Sequence, residues 1–176
     1  MPILALALAR ALPFAAILLW GLSCPASAQP TEAQTKVIET LESWGLMGSW
    51  SLDCSKPPSG ENGYLGYAVQ DGVAVHTRDF GDAQDENEVQ SANVRPDGSI
   101  EIVVHFEGFD QTRKYVMIKK DGRVRAWANS LADNSGATIQ DGKFTANGEE
   151  TAWQAQCPME NAPDGAGIAA EPGPTR

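Results

Sequence analysis

Five Asx-Gly pairs fall within about a hundred residues: Asp71-Gly72, Asp97-Gly98, Asp121-Gly122, Asp141-Gly142 and Asn147-Gly148. A type I′ hairpin turn needs positive φ at both central residues, and Asn or Asp followed by Gly tolerates this best. Spaced between β-rich segments, such pairs predict an antiparallel meander. The predicted strands are residues 49–54, 64–70, 73–79, 88–95, 99–106, 113–120, 123–129 and 150–156, with a short pair near 137–140 and 143–146. No helical segment recurs between them, which argues against a parallel α/β sheet. Alternation places Ile100, Ile102, Val104 and Phe106 on one face. Val73 and Val75 likewise oppose Ala74, His76 and Arg78, and Tyr115 and Met117 oppose Val116 and Ile118.

The chain opens with a stretch read as a secretory signal peptide, residues 1–28. Arg10 precedes an apolar run, and Ala26-Ser27-Ala28 offers the small residues that a signal peptidase accepts. Export removes Cys24 and leaves Cys54 and Cys157, an even pair in an oxidising compartment, which predicts a disulfide; two free thiols are the alternative. The localisation expected is periplasmic or secreted, with no membrane span after cleavage.

The two cysteines end similar segments, Trp50-Ser-Leu-Asp-Cys54 and Trp153-Gln-Ala-Gln-Cys157. In an extended strand, residues four apart share a face, so each Trp is expected beside its Cys. A bond between Cys54 and Cys157 makes the first and last strands neighbours. A meander achieves that by curling into an up-and-down β-barrel of about 8–10 strands, which also removes exposed edges. A β-sandwich clipped between its sheets is the other architecture compatible with the same bond.

One amphipathic helix is predicted before the strands, within residues 29–45. Thr31 and Gln34 have capping-box spacing, Ala33, Val37, Leu41 and Trp44 form a stripe beside Ile38, and Gly45 suits the left-handed stop. The barrel domain then covers residues 46–157. Residues 158–176, with four prolines and several glycines, read as a disordered tail.

Charge narrows the partners. Lys and Arg number 13 against 23 Asp and Glu. Arg10 is the leader's one charged residue, so 13 − 1 leaves 12 cations on the exported chain, a net charge of −11. Nucleic acid, which needs clustered cations, is not an expected partner.

Gly48-Ser49-Trp50, on a first strand that follows a helical segment, resembles the Gly-x-Trp signature of the lipocalin-like (calycin) β-barrels. That resemblance implies that Trp50 plugs the closed end of the barrel and that the open end holds an apolar ligand. The last strand carries no Arg of the kind that packs across that Trp. Small periplasmic barrels that inhibit metalloproteases are similar in size, export and single disulfide. The Trp-x-x-x-Cys opening is similar to that of the exported invasion-associated protein B family.

Signals for catalysis are weak. His76 and His105 are the only histidines, both read as solvent-facing, and no Gly-x-Ser-x-Gly elbow exists. The chain is therefore read as non-enzymatic, with no cofactor and no metal. Asp79, Asp82, Asp85, Glu86 and Glu88 suit calcium chemistry but lack EF-hand spacing, and read as a solvated acidic loop. Arg123, Arg125 and Trp127 share one face, opposite Val124, Ala126 and Ala128. Placed inside a half-polar cavity, Arg125 and Trp127, with Tyr115, would orient a ligand's carboxylate; placed outside, they form a cation–π wall. Trp50 and Trp153 are expected to pack the barrel end. The function expected is an exported envelope protein binding a small apolar or amphipathic ligand in or at the barrel mouth. The alternative is a protein-interaction module, such as an inhibitor of an exported protease.

Overall fold

The computed structural model describes residues 29–158. The signal-peptide reading of residues 1–28 lies outside them, as does nearly all of the tail reading of residues 158–176. Helix α1, Glu32–Trp44, starts where Thr31 Oγ1 accepts a hydrogen bond from Gln34 N at 3.2 Å. It stops at Gly45, whose φ of 79° lets its N–H reach the last carbonyls. Only half of the expected capping box forms. The Gln34 side chain turns into the protein, where Oε1 accepts from Ala74 N at 3.0 Å and Nε2 donates to Val89 O at 3.2 Å. The buried stripe is accordingly Gln34, Val37, Leu41 and Trp44, while Ala33 is exposed.

Ten strands follow: β1 (Gly48–Ser51), β2 (Tyr64–Gln70), β3 (Val73–Asp79), β4 (Gln84–Val94), β5 (Ile100–Phe106), β6 (Gln111–Lys120), β7 (Arg123–Leu131), β8 (Ile139–Gln140), β9 (Lys143–Phe144) and β10 (Gln154–Cys157). Three Asx-Gly pairs form the expected two-residue turns, with positive φ at both positions: Asp71-Gly72, Asp121-Gly122 and Asp141-Gly142. At Asp97-Gly98 and Asn147-Gly148 only the glycine has positive φ, because each sits in a longer turn.

Strands β1 to β7 pair in sequence order, and β10 pairs with both β1 and β7. The result is a closed eight-stranded antiparallel barrel, the barrel rather than the sandwich of the two expected architectures. Ser49 faces Cys157 across the β1–β10 seam, and Cys54 is bonded to Cys157 with a Cα–Cα distance of 5.4 Å. The β8–β9 hairpin branches from the far end of β7, where Ile139 pairs with Asn129. Between β8 and β10, Gly142 N donates to Trp127 O at 2.8 Å and Thr151 Oγ1 to Ala126 O at 2.7 Å. The rest of the β7 edge is thereby covered.

The two ends of the barrel differ. At one end, the β2–β3, β4–β5 and β6–β7 turns meet α1. Trp44 Nε1 donates to Gly98 O at 2.9 Å, and Lys119 Nζ lies 4.8 Å from the Trp44 ring. Val37, Leu41, Trp44 and Leu46 join Trp50, Val89, Ile100 and Ile102 in one buried core, which closes this end. Gln34 wedges between β3 and β4 where their ladder stops, its amide taking the place of a peptide group between Ala74 N and Val89 O. The opposite end carries the long β1–β2 and β7–β10 connections and stays open.

The expected acidic loop is shorter than the sequence implies. β4 begins at Gln84, so Asp85, Glu86 and Glu88 are strand residues paired with β3. Cross-strand pairing of Asp85 with Arg78 offsets the poor strand propensity of this run.

Candidate functional site: a cavity at the open end of the barrel

The open end contains a cavity of about 350 Å³. Leu65, Met117 and Ala126 supply apolar wall from β2, β6 and β7, and Leu52, Phe80 and Phe144 line the mouth. Leu52 and Phe144 are 46% and 42% exposed, and Phe109, on the neighbouring β5–β6 turn, is 65% exposed. Three of the four large exposed hydrophobic residues among the described residues therefore stand at this end.

One side of the cavity is polar, and hairpin register explains why. The two-residue turn at Asp71-Gly72 sets Gln70 opposite Val73, which puts Tyr67 opposite His76. Their rings stack with centroids 4.7 Å apart, and Phe106 meets His76 edge-on at 6.2 Å. His76 is 2% exposed, which corrects the reading of a solvent-facing histidine: the inner face of β3 is Ala74, His76 and Arg78. His105 is half-buried on the other face of β5, with Nδ1 3.1 Å from Thr112 Oγ1.

His76 Nδ1 lies 3.1 Å from Gly66 O. A carbonyl only accepts, so Nδ1 is the protonated nitrogen and Nε2 carries the lone pair. Burial lowers the His76 pKa to about 4, so the ring is neutral at ordinary pH. Burial also raises the pKa of Tyr67 and, less completely enclosed, of Tyr115.

Arg78 extends toward the mouth, its guanidinium 4.4 Å from the centre of the Phe106 ring. It forms a two-point ion pair with Asp85, Nε donating to Oδ1 at 2.8 Å and Nη2 to Oδ2. Asn87 Nδ2 donates to the same Oδ1 at 2.8 Å. Burial works against ionisation of Asp85, yet Arg78 and Asn87 outweigh it and hold the carboxyl below its ordinary value.

Of the expected ligand-contacting residues, Tyr115 lines the cavity, whereas Arg125 and Trp127 lie on the outer wall. A bulge decides this. Val116 pairs with Ala128 and Met117 with Ala126, which makes Trp127 the extra residue of β7. Val124 and Ala126 point inward before the bulge, and Asn129 faces Tyr115 after it. The Arg125 guanidinium is packed between Trp127 at 5.5 Å and Trp153 at 4.8 Å, and Nη1 reaches Glu150 Oε2 at 3.3 Å.

The two terminal tryptophans also part company. Trp50 is buried inside, with Nε1 donating to Leu46 O at 2.8 Å. Trp153 packs on the outer side of β7 against Arg125, not at a barrel end. The Trp–Cys face rule holds for Trp153 and Cys157. It fails for Trp50 and Cys54, because β1 stops at Ser51 and the chain turns before Cys54.

Among the described residues, no group of three or more His, Cys, Asp or Glu is arranged to hold a metal ion. No described helix is long and apolar enough to cross a membrane. The bonded cysteine pair fits an oxidising compartment outside the cytoplasm. Comparison with known proteins returns no family description, no curated protein and no solved structure that matches this chain.

Proposed function

We propose that this chain is an exported binding protein of the cell envelope, periplasmic or secreted, that holds a small amphipathic molecule in the open end of its barrel. The carrying observation is the cavity itself: apolar on most of its wall, rimmed by exposed Leu52 and Phe144, and polar where His76, Arg78 and Tyr115 converge. Ligand sites combine apolar lining with a few placed polar groups in roughly this way, and commonly fall between about 300 and 1,000 Å³. At about 350 Å³ the cavity suits a small ligand or one end of a longer chain. The Gly48-Ser49-Trp50 opening and the eight-stranded barrel also support the proposed kinship with the lipocalin-like barrels.

Native mass spectrometry of protein purified from its own envelope tests this reading. A stoichiometric small molecule, lost on organic extraction and restored on re-addition, is the expected outcome. A co-purifying protein bound to a chain with an empty barrel would replace it with the interaction-module reading.

A further inference from the structure

Resting on the proposed binding role, we infer that the ligand is uncharged and carries a hydroxyl group, which donates its hydrogen bond to His76 Nε2 within the cavity. Three observations carry this inference.

The first is the orientation of the imidazole. Nδ1 is committed to Gly66 O, and the ring is held between Tyr67 and Phe106. Nε2 finds no partner among the described residues. The only fully enclosed side-chain nitrogen or oxygen without one is Arg125 Nε, so Nε2 retains access to the cavity that His76 lines. A lone pair on the wall of an apolar cavity calls for a donor, because a buried acceptor left unpaired is costly.

The second is the state of Arg78, the cation at the cavity. Asp85 neutralises it through two contacts, so an entering carboxylate meets an ion pair rather than a free positive charge. The third is the field at the mouth. Glu61 and Asp82 stand on the β1–β2 and β3–β4 loops, and Glu107 and Asp110 on the β5–β6 turn. The exported chain as a whole is acidic, and this distribution repels anions. A fatty acid's head group is thus opposed by charge and leaves Nε2 without a proton to accept. An alcohol or phenol satisfies Nε2 with its O–H, and its oxygen can also accept a bond.

The test uses the intact oxidised protein at pH 7.5, with N-phenyl-1-naphthylamine as a fluorescent reporter displaced by three molecules of equal chain length. These are 1-decanol, 1-methoxydecane, which can accept but not donate, and decanoate. The expected order places 1-decanol first, by about tenfold over the ether, as one buried hydrogen bond to a committed acceptor requires. The variant His76→Phe should bring alcohol and ether within about twofold of each other. An ether that binds as tightly as the alcohol, or decanoate that binds more tightly, overturns the inference and leaves the binding role standing. If the reporter and all three molecules fail to bind, the binding role falls and the inference with it.

Discussion

Acid should destabilise this barrel through His76 before its carboxylates come into play. The folded protein holds the His76 pKa at about 4, against an ordinary value of 6.5, because the ring is buried between Tyr67 and Phe106. Between those two values the unfolded chain binds a proton that the folded chain refuses, so stability falls as pH falls. The gap of about 2.5, at roughly 1.4 kcal/mol for each step of one, bounds the full effect near ~3 kcal/mol. By pH 5 the loss relative to pH 7.5 is about 2 kcal/mol, since the unfolded histidine is then almost fully protonated and the folded one is not. The lowered carboxylates Asp53, Asp85, Asp97 and Asp133 start from 3.8, so most of their loss falls at lower pH. Urea unfolding of the oxidised protein at half-unit steps from pH 7.5 to 5.0 measures the slope, with His76→Phe as the non-titrating partner. The variant should lose about 2 kcal/mol less than the parent across this window, whatever its absolute stability. Parallel curves for the two proteins would refute the buried, neutral assignment of His76.

Other substitutions probe the remaining joints of the fold. Gln34→Ala leaves Ala74 N and Val89 O without their bridging amide and should cost about 2–3 kcal/mol in urea unfolding, several times the effect of Lys36→Ala on the exposed side of α1. Reducing Cys54–Cys157, or replacing both by serine, opens a loop with a sequence separation of 103 and should remove about 4–5 kcal/mol on chain-entropy grounds, read as a lower urea midpoint. Arg125→Ala should lower stability by about 1–2 kcal/mol through lost packing between Trp127 and Trp153, and leave reporter affinity within about twofold. A large loss of affinity in that variant would return Arg125 to the site.

The Asx-Gly pairs and strand alternation were enough to read a meander. The even cysteine pair was enough to close it, because a covalent link between its first and last strands leaves few other topologies. The cavity was only partly legible. Tyr115 was placed correctly by alternation, which a bulge-free β6 preserves, whereas Trp127 broke the alternation of β7 by being the bulged residue. No single-strand pattern announces such an extra residue. His76 was different, since the signal was present. A two-residue turn at Asp71-Gly72 forces Tyr67 opposite His76, and an inward aromatic on β2 then brings the histidine inward. Reading β3 alone, with Val73 and Val75 as its apolar side, missed this because both faces of β3 are largely covered. Gln34 escaped for a related reason. Its role as a peptide surrogate depends on where two strands part, which helix periodicity cannot express.

The polar side of the cavity raises the question of why a barrel would place an ion pair where apolar packing would serve. Arg78 and Asp85 keep 23% and 34% of their side chains exposed, so their attraction is partly screened and their desolvation incomplete. Replacing such a pair by apolar residues of similar volume is commonly neutral or stabilising, whereas removing one partner strands the other. Arg78→Met with Asp85→Leu should therefore unfold within about 1 kcal/mol of the parent, while Arg78→Met alone should cost about 1–2 kcal/mol more than the double variant. The same double variant should bind the fluorescent reporter at least as well as the parent, since the cavity becomes more apolar. A double variant less stable than the single one would make the pair a structural necessity of the barrel. The expected order makes it instead a feature retained for what the cavity holds.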